Sequence, residues 1–493
     1  MSDAPTVTTP PDERAPTVTA SLAAFASELR FEDLPSAVVD HVERLVLDTL
    51  GCALGGSQTP LGNVAVRFAD AGAGGNDEAS VASSGRRTTA LLAAGANGRM
   101  AGALDADDTF ASAGQTSHHG APTVAAAFAL AERDGASGHD LLTAVAAGYE
   151  VGARFGVGVP AHDLVPRPGG WKVGGGAAGV LGPAAATARL LGLDADTIAH
   201  TLGIAGAHID VAPLKWFEGS TAPMVKSMDN GWSASAGLSS ALLAQLGMTG
   251  HRDILDGPNG LWRALGHQSF DFEAAAAGLG TRWWTLEASF KLWPCQYWMQ
   301  GALRAFDQIL LEHDLAAADI ESIVLRTNSR SGAPRFRDQH PEGFVTGQFN
   351  FPHTAAMLAL RVPPGPRWFD EAAFADPEVA ALREKVAVEI DPRTEAGDDL
   401  AVDGMLRRMP GSAVVTARGR VYEAAVDAGF GGPWDEDTRL DDTALATKLA
   451  DMVGPLADRD PVWHGRAEVL SGLTGLLRGV PDVRAVGELL RPA

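Results

Sequence analysis

The sequence predicts a mainly α protein: a large all-helical domain built from both ends of the chain, with a smaller α+β domain inserted between. Three observations carry this. From Ser21 to about residue 275 apolar residues recur at helical spacing, with no alternating strand of any length. Apart from Glu78–Ala82, a small strand or loop, β-like segments lie in the stretch from Ser322 to Ala425. Past Gly432-Pro433 the helical spacing returns. The implied organisation is a disordered tail over 1–18, a helical domain over 19–278, an α+β domain over 279–432, and C-terminal helices over 433–493 that rejoin the helical domain.

The tail is rich in Pro, Thr and Asp and has no apolar h-region, so it reads as disordered and not as a signal peptide. Ser21–Leu29 and Pro35–Leu54 are amphipathic helices, the second opening with Pro35 in its first turn and stopping at Gly55-Gly56. Leu45, Val46, Leu50 and Leu54 keep helical spacing, which makes Cys52 a small core residue. Leu61–Phe68 is a short helix, and Glu78–Ala82 a small strand or loop. An Ala-rich helix over Thr88–Ala103 delivers Asp105, Asp107, Asp108 and Thr109; a short loop leads to His118 and His119, and the next helix starts near Pro122.

Gly138–Val159 is a helix carrying Tyr149 and Glu150. A Pro/Gly loop ends in Gly169-Gly170-Trp171, just before Lys172 and Gly174-Gly175-Gly176, and a helix runs on to Leu191. Asp194 caps a helix over Ala195–Ala207, and Met224–Leu246 is a helix that includes Lys226, Asp229 and Asn230. Further on, Ser322–Thr327 and Val386–Ile390 are strands, and Ala413–Ala417 with Val421–Ala425 form a hairpin. Helices over Gln300–His313, His353–Leu360 and Pro377–Lys385 lie among them; Thr443–Val453 and Pro461–Leu477, capped by Asp460, close the chain.

The 493 residues, 46% hydrophobic and 20% charged, have the composition of a soluble globular protein. A net charge of −22 argues against nucleic acid or an anionic membrane as partner, since both require basic surface. Two cysteines, Cys52 and Cys295, exclude a disulfide framework and fit a reducing, cytoplasmic setting. The most apolar run, Val173 to Leu193, is broken by Pro183 and Arg189 and reads as a packed helix, not a membrane span. Only six of the 39 basic residues are lysines, and four of those six (Lys172, Lys215, Lys226, Lys291) fall between positions 172 and 291.

Acids and imidazoles at the meeting of two helices can supply general acid/base groups or metal ligands. The glycines at 174–176 follow no strand and lack a G-K-[ST] sequel, so they do not read as a phosphate cradle. There is no G-x-S-x-G elbow, C-x-x-C or H-E-x-x-H. Clustered aspartates on a helical fold could hold Mg²⁺, as in terpene-cyclising enzymes, but Asp229-Asn230 and Ser233 lack the acidic residue that completes the second metal motif. His118 and His119 are adjacent and cannot both point the same way from regular structure.

The run A-L-D-A-D-D-T (103–109), followed by a His and a Gly, resembles the signature of the MmgE/PrpD family, whose members include 2-methylcitrate dehydratase, cis-aconitate decarboxylase and an iminodisuccinate epimerase. Other segments are similar in the same order: R-L-V-L-D-T-L-G (44–51), Gly170-Trp171-Lys172, Met224-Val225-Lys226 followed by Gly231, K-L-W-P-C (291–295) and Q-F-N-F-P (348–352). The resemblance spans about residues 20 to 480. It implies a helical domain with an α+β lid, a homodimer, an active site between the two domains, small di- or tricarboxylate substrates, and no metal or organic cofactor.

The resemblance also implies roles. Asp105, Thr109 and His118 take the positions of the family's Asp, Thr and His, and Lys226 and Lys291 those of its two lysines. Lys172 stands where the family has a second histidine, Asp229 where many relatives have a histidine, and the longer loop after Thr109 leaves His119 as the alternative to His118. The expected chemistry is cofactor-free proton transfer alpha to a carboxylate, with dehydration of the 2-methylcitrate type first and decarboxylation or epimerisation as alternatives. Lys226 and Lys291 bind carboxylates, with Trp171, Cys295 and Tyr297 lining the substrate. A histidine, oriented by Asp105 and Thr109, moves the proton, and Lys172 binds a carboxylate or acts as a second acid/base. The alternatives from other classes are a Mg²⁺-dependent cyclase and a non-catalytic binding protein.

Overall fold

A computed structural model describes residues 17–113, 116–160, 178–209, 221–226, 228–329, 333–395 and 400–492. The fold is mainly α with a smaller α+β part. Helix α1 (Val18–Glu28) is capped by the Thr17 hydroxyl; residues 1–16, within the expected tail, lie outside the described residues. There follow α2 (Ser36–Gly56), α3 (Pro60–Gly72), α4 (Ala90–Ala101), α5 (Gly120–Asp134), α6 (Gly138–Gly158), α7 (Leu181–Leu190), α8 (Ala195–Ala207) and α9 (Asn230–Gln245). Asp194 caps α8 as its position predicts. Among the described residues no helix is long and apolar enough to cross a membrane.

Two local departures shape the region around Lys226 and the aspartates. Helical spacing suggests that α9 begins at Met224, yet it begins at Asn230, because the Asp229 carboxylate accepts the N–H groups of Gly231 and Trp232 and sets the cap there. Lys226 therefore stands on the approach to α9 and not on its face. The helical half also contains two short antiparallel pairs, Ala79–Ser80 with Arg87–Thr88 and Phe110–Ala111 with Thr116–Ser117. The second pair pinches together the two sides of the loop that separates the aspartates from the histidines.

The α+β part is a four-stranded sheet in the order Arg420–Val426, Gly411–Ala417, Ile320–Thr327, Val386–Ile390. The first two strands form the expected hairpin, turning through Arg418 and Gly419, both with positive φ (53° and 67°) as a tight two-residue turn requires. Ile320–Thr327 pairs parallel with Val386–Ile390, so the chain between them crosses over through the helices Phe351–Ala359 and Pro377–Arg383. Helix Gln300–Glu312 packs on the sheet. At the C-terminal end, Asp442–Ala457 runs longer than its spacing suggests, through Pro455, and packs against α2. Val462–Ser471 is shorter, and Asp460 accepts the Val462 N–H; the chain turns off the helix at Gly472 and through Gly475 (φ 78°).

Buried apolar side chains fall into two large clusters. One joins α1–α9 to the C-terminal helices; the other fills the α+β part. The chain passes between them just after α4, where Met100 and Ala101 belong to the first cluster and Leu104 and Ala106 to the second. It passes again between Phe290 and Trp293. Both crossings carry candidate site residues.

The α4–α9 contact brings the first crossing to Asn230 and Lys226, and it is close enough to require glycine. A Cβ at Gly231 would lie 2.1 Å from the Gly95 carbonyl oxygen. Gly231→Ala is expected to push α9 off α4 and to destabilise the fold by about 1–3 kcal/mol, the usual range for overpacking, read as a lower urea midpoint at unchanged slope.

Candidate active site

A helix C-terminus leaves carbonyls without intrahelical partners and carries partial negative charge. At the end of α4 the chain meets this need with side chains from distant elements. Lys226 Nζ donates to the Gly102 carbonyl (2.7 Å), Gln348 Nε2 to that of Ala103 (2.8 Å), Lys291 Nζ to that of Asp105 (2.8 Å) and Lys448 Nζ to that of Ala106 (2.7 Å). His118 Nδ1 lies 2.6 Å from the Asp108 carbonyl oxygen. Half of the chain's six lysines thus converge on five consecutive residues. Asp105 sits at φ 54°, a left-handed conformation that Asp tolerates better than most residues.

The carboxylates of this loop face the same cations. Asp105 ion-pairs with Lys291 and lies 3.7 Å from Lys226; Asp107 lies 3.8 Å from Lys291 and 3.4 Å from His118 Nδ1, and accepts a hydrogen bond from Asn230 Nδ2 (3.2 Å). Burial disfavours charge on every member, and the balance differs among them. For Lys291 the neighbouring Asp105 and Asp107 outweigh burial and raise its pKa, fixing it as an ammonium. For Lys226 burial wins over the pull of Asp105, and its pKa falls below the ordinary lysine value. Asp105 and Asp107 are held below the usual carboxylate range, burial being overcome by Lys291 at the first and by His118 at the second.

The two histidines separate cleanly. The His118 side chain keeps 16% of its surface exposed, and its Nδ1, facing a carbonyl oxygen, must carry the hydrogen. Nε2 is left without a hydrogen-bond partner among the described residues, as acceptor when the ring is neutral and donor when it is charged. Burial opposes charge on His118, but Asp107 more than offsets it and the pKa is raised. His119 is buried, bonds Ser117 Oγ through Nε2 (2.8 Å) and packs against Phe110 and Tyr149. Burial pushes its pKa down to about 3, so it is neutral. Its Nδ1 faces Gly152, where a Cβ would lie 2.8 Å away.

Asp108 supports the loop. Its carboxylate accepts the N–H groups of Gly120 and Ala121 at the start of α5 and the Tyr149 hydroxyl, and burial lifts its pKa to about 6. Thr109 pairs through its backbone with Ser289, and its buried hydroxyl has no hydrogen-bond partner among the described residues. The groups that meet His118 are Asp107 and the Asp108 carbonyl, whereas Asp105, turned by its positive φ, meets the lysines.

Cys295 lies in the core of the α+β part, its thiol pKa raised by burial and its sulfur accepting from Gln300 Nε2 (3.2 Å). Tyr297 is buried against Ala111, Leu406 and Met409, and burial pushes its pKa up to about 12 against the opposing effect of Ser289. Trp171, Lys172 and the glycines at 174–176 lie outside the described residues. Asp229 pairs with Arg99 (2.9 Å) as well as capping α9. Among the described residues no group of three or more His, Cys, Asp or Glu is arranged to hold a metal; the aspartates that sequence could assign to Mg²⁺ face ammonium groups.

Sequence reasoning gave no site role to Asn230, Gln348, Lys448 or Asp48, the acid that partners Lys448. The scarcity of lysine is the signal that could have singled out Lys448. If Asp107 is what holds His118 protonated, Asp107→Asn should lower the His118 midpoint in a ¹H–¹³C NMR titration while His119 stays neutral throughout.

The site now has a setting among known proteins. The MmgE/PrpD N-terminal domain matches residues 20–273 and the MmgE/PrpD C-terminal domain residues 293–466. The chain is 30% identical over 359 residues to a cis-aconitate decarboxylase-like protein, oryM, of Aspergillus oryzae, covering 69% of this chain and 72% of that one. It is 28% identical over 365 residues to the cis-aconitate decarboxylase of Aspergillus terreus (69% and 71% covered), and 28% over 385 residues to that of Homo sapiens (76% and 77%). With both domains matched in order across most of its length, the chain belongs to the MmgE/PrpD family.

Proposed function

We propose that the chain is a lyase acting on a small di- or tricarboxylate, and that its reaction is decarboxylation of a cis-aconitate-like acid. The observation that carries the reading is one buried constellation of Lys226, Lys291, Asp105, Asp107 and His118, with His118 Nε2 left for proton transfer. The named decarboxylases among the relatives support the choice of CO₂ loss.

In this mechanism Lys291 and Lys226 receive two substrate carboxylates. Lysine suits the task as a compact charge, and Lys291 keeps that charge because Asp105 and Asp107 flank it. The C–C bond to the departing carboxylate breaks and CO₂ leaves. The electron pair moves into the adjacent double bond and towards a second carboxylate, where the ammonium groups offset the developing charge. The carbon that finally holds the pair takes a proton from charged His118 through Nε2. His118 is then reprotonated from solvent. Lys172, assigned by sequence position alone, would take a further carboxylate.

Dehydration is the second reading. It needs one group to remove a proton and another to protonate the departing hydroxyl, and the lowered pKa of Lys226 offers a second proton carrier beside His118.

The direct test is incubation with cis-aconitate and, separately, 2-methylcitrate in D₂O, followed by NMR. Decarboxylation gives a product with one deuteron at the protonated carbon. Loss of water from 2-methylcitrate without CO₂ release would move the assignment to the second reading, and no turnover of either acid would sink both. His118→Ala and Lys226→Met should each lower kcat by ~10²–10⁴-fold in folded protein. Because His118 acts in its charged form and its pKa is raised, kcat/KM should hold at and below pH ~6.5, the ordinary histidine value, and fall only as pH rises through the higher midpoint.

A further inference from the structure

Behind the site lies a second ion pair that the mechanism does not use. Lys448, on helix Asp442–Ala457, lies 2.6 Å from Asp48 on α2, and each side chain is 2% exposed. The two come from opposite ends of the chain, on helices packed against each other. A buried pair is a poor source of stability, since desolvation can exceed the attraction and apolar residues of similar size often serve as well. What apolar residues cannot supply is a donor, and Lys448 Nζ spends one hydrogen bond outside the pair, on the Ala106 carbonyl (2.7 Å).

Ala106 stands between Asp105 and Asp107. Its carbonyl belongs to the rigid peptide unit that carries the Asp107 N–H and leads into the Asp107 Cα, so fixing that oxygen fixes where Asp107 starts. Asp107 in turn lies beside His118 and Lys291. We propose that Lys448 is a positioning residue of the active site: its hydrogen bond to the Ala106 carbonyl holds Asp107 against His118, while the ion pair with Asp48 serves only to offset the burial of the Lys448 charge.

The kinetic part of the test rests on the lyase reading; the spectroscopic part does not. Two variants separate positioning from plain stabilisation. Asp48→Asn removes the ion pair but leaves Lys448 able to donate to Ala106. The double variant Asp48→Asn/Lys448→Met removes the donor too, without stranding a buried charge. A positioning role predicts that D48N loses no more than about threefold in kcat, whereas the double variant loses about tenfold or more with KM changed less than about threefold.

The second readout is the His118 midpoint in the substrate-free protein, where Asp107, Asp105 and Lys291 are the charged groups that act on it. It should stay in place in D48N and move down in the double variant as Asp107 withdraws. A purely stabilising pair would lower the melting temperature in both variants and move neither kcat nor the midpoint, and that result in a folded double variant overturns the proposal. If the double variant does not fold, Asp48→Asn/Lys448→Gln, whose shorter side chain keeps a polar end without the reach to Ala106, takes its place: a lower kcat and His118 midpoint than in D48N uphold the proposal, and values equal to those of D48N overturn it. Should the wild-type protein turn over neither acid, the lyase reading fails, and the positioning role stands or falls on the two midpoints.

Discussion

The structure turns on a short stretch of backbone whose carbonyls are answered by side chains from distant elements. From Gly102 to Asp108 the chain has left α4, lies between the two cores, and would strand polar groups in an apolar setting if nothing answered them. Lys226, Gln348, Lys291 and Lys448 each bring a donor from a different part of the chain. The satisfaction of those carbonyls and the assembly of the site are therefore one event: the side chains that hold the loop also bring cations to its aspartates.

An ammonium suits these places in a chain that elsewhere uses mostly arginine. An ammonium has three donors on a single atom and can bind a carbonyl and a carboxylate at once, as Lys291 does with both groups of Asp105. A planar guanidinium would need a wider berth. The ammonium's pKa also moves readily with its surroundings. Lys226 and Lys291 share Asp105, yet burial dominates at one and the carboxylates at the other. Two chemically identical groups are thereby given different protonation behaviour.

Much of the fold was legible because helical spacing, caps and a turn pair act locally: α8 with its Asp194 cap and the hairpin through Arg418-Gly419 follow from neighbouring residues alone. The start of α9 was misplaced because Asp229 competes for its N–H groups, which apolar periodicity does not register. Of the candidate site, separate motifs make Asp105, His118, Lys226 and Lys291 legible, and the fold brings these four near one another. The site was not legible where the partner is distant or has no motif. Asp107 displaced Asp105 and Thr109 as the neighbour of His118 because the positive φ at Asp105 redirects the chain, and no spacing argument contains that angle. His119 lies against Gly152, a close approach that adjacent positions in the sequence do not reveal.

The Asp48–Lys448 pair has a temporal meaning as well. Protein synthesis runs from the N-terminus, and the loop at 102–108 is made long before its last donor exists. The Ala106 carbonyl waits until position 448 has been made and has closed a contact 342 residues wide. The loop at 102–108 therefore has its full set of donors only once the helix that carries Lys448 has met α2.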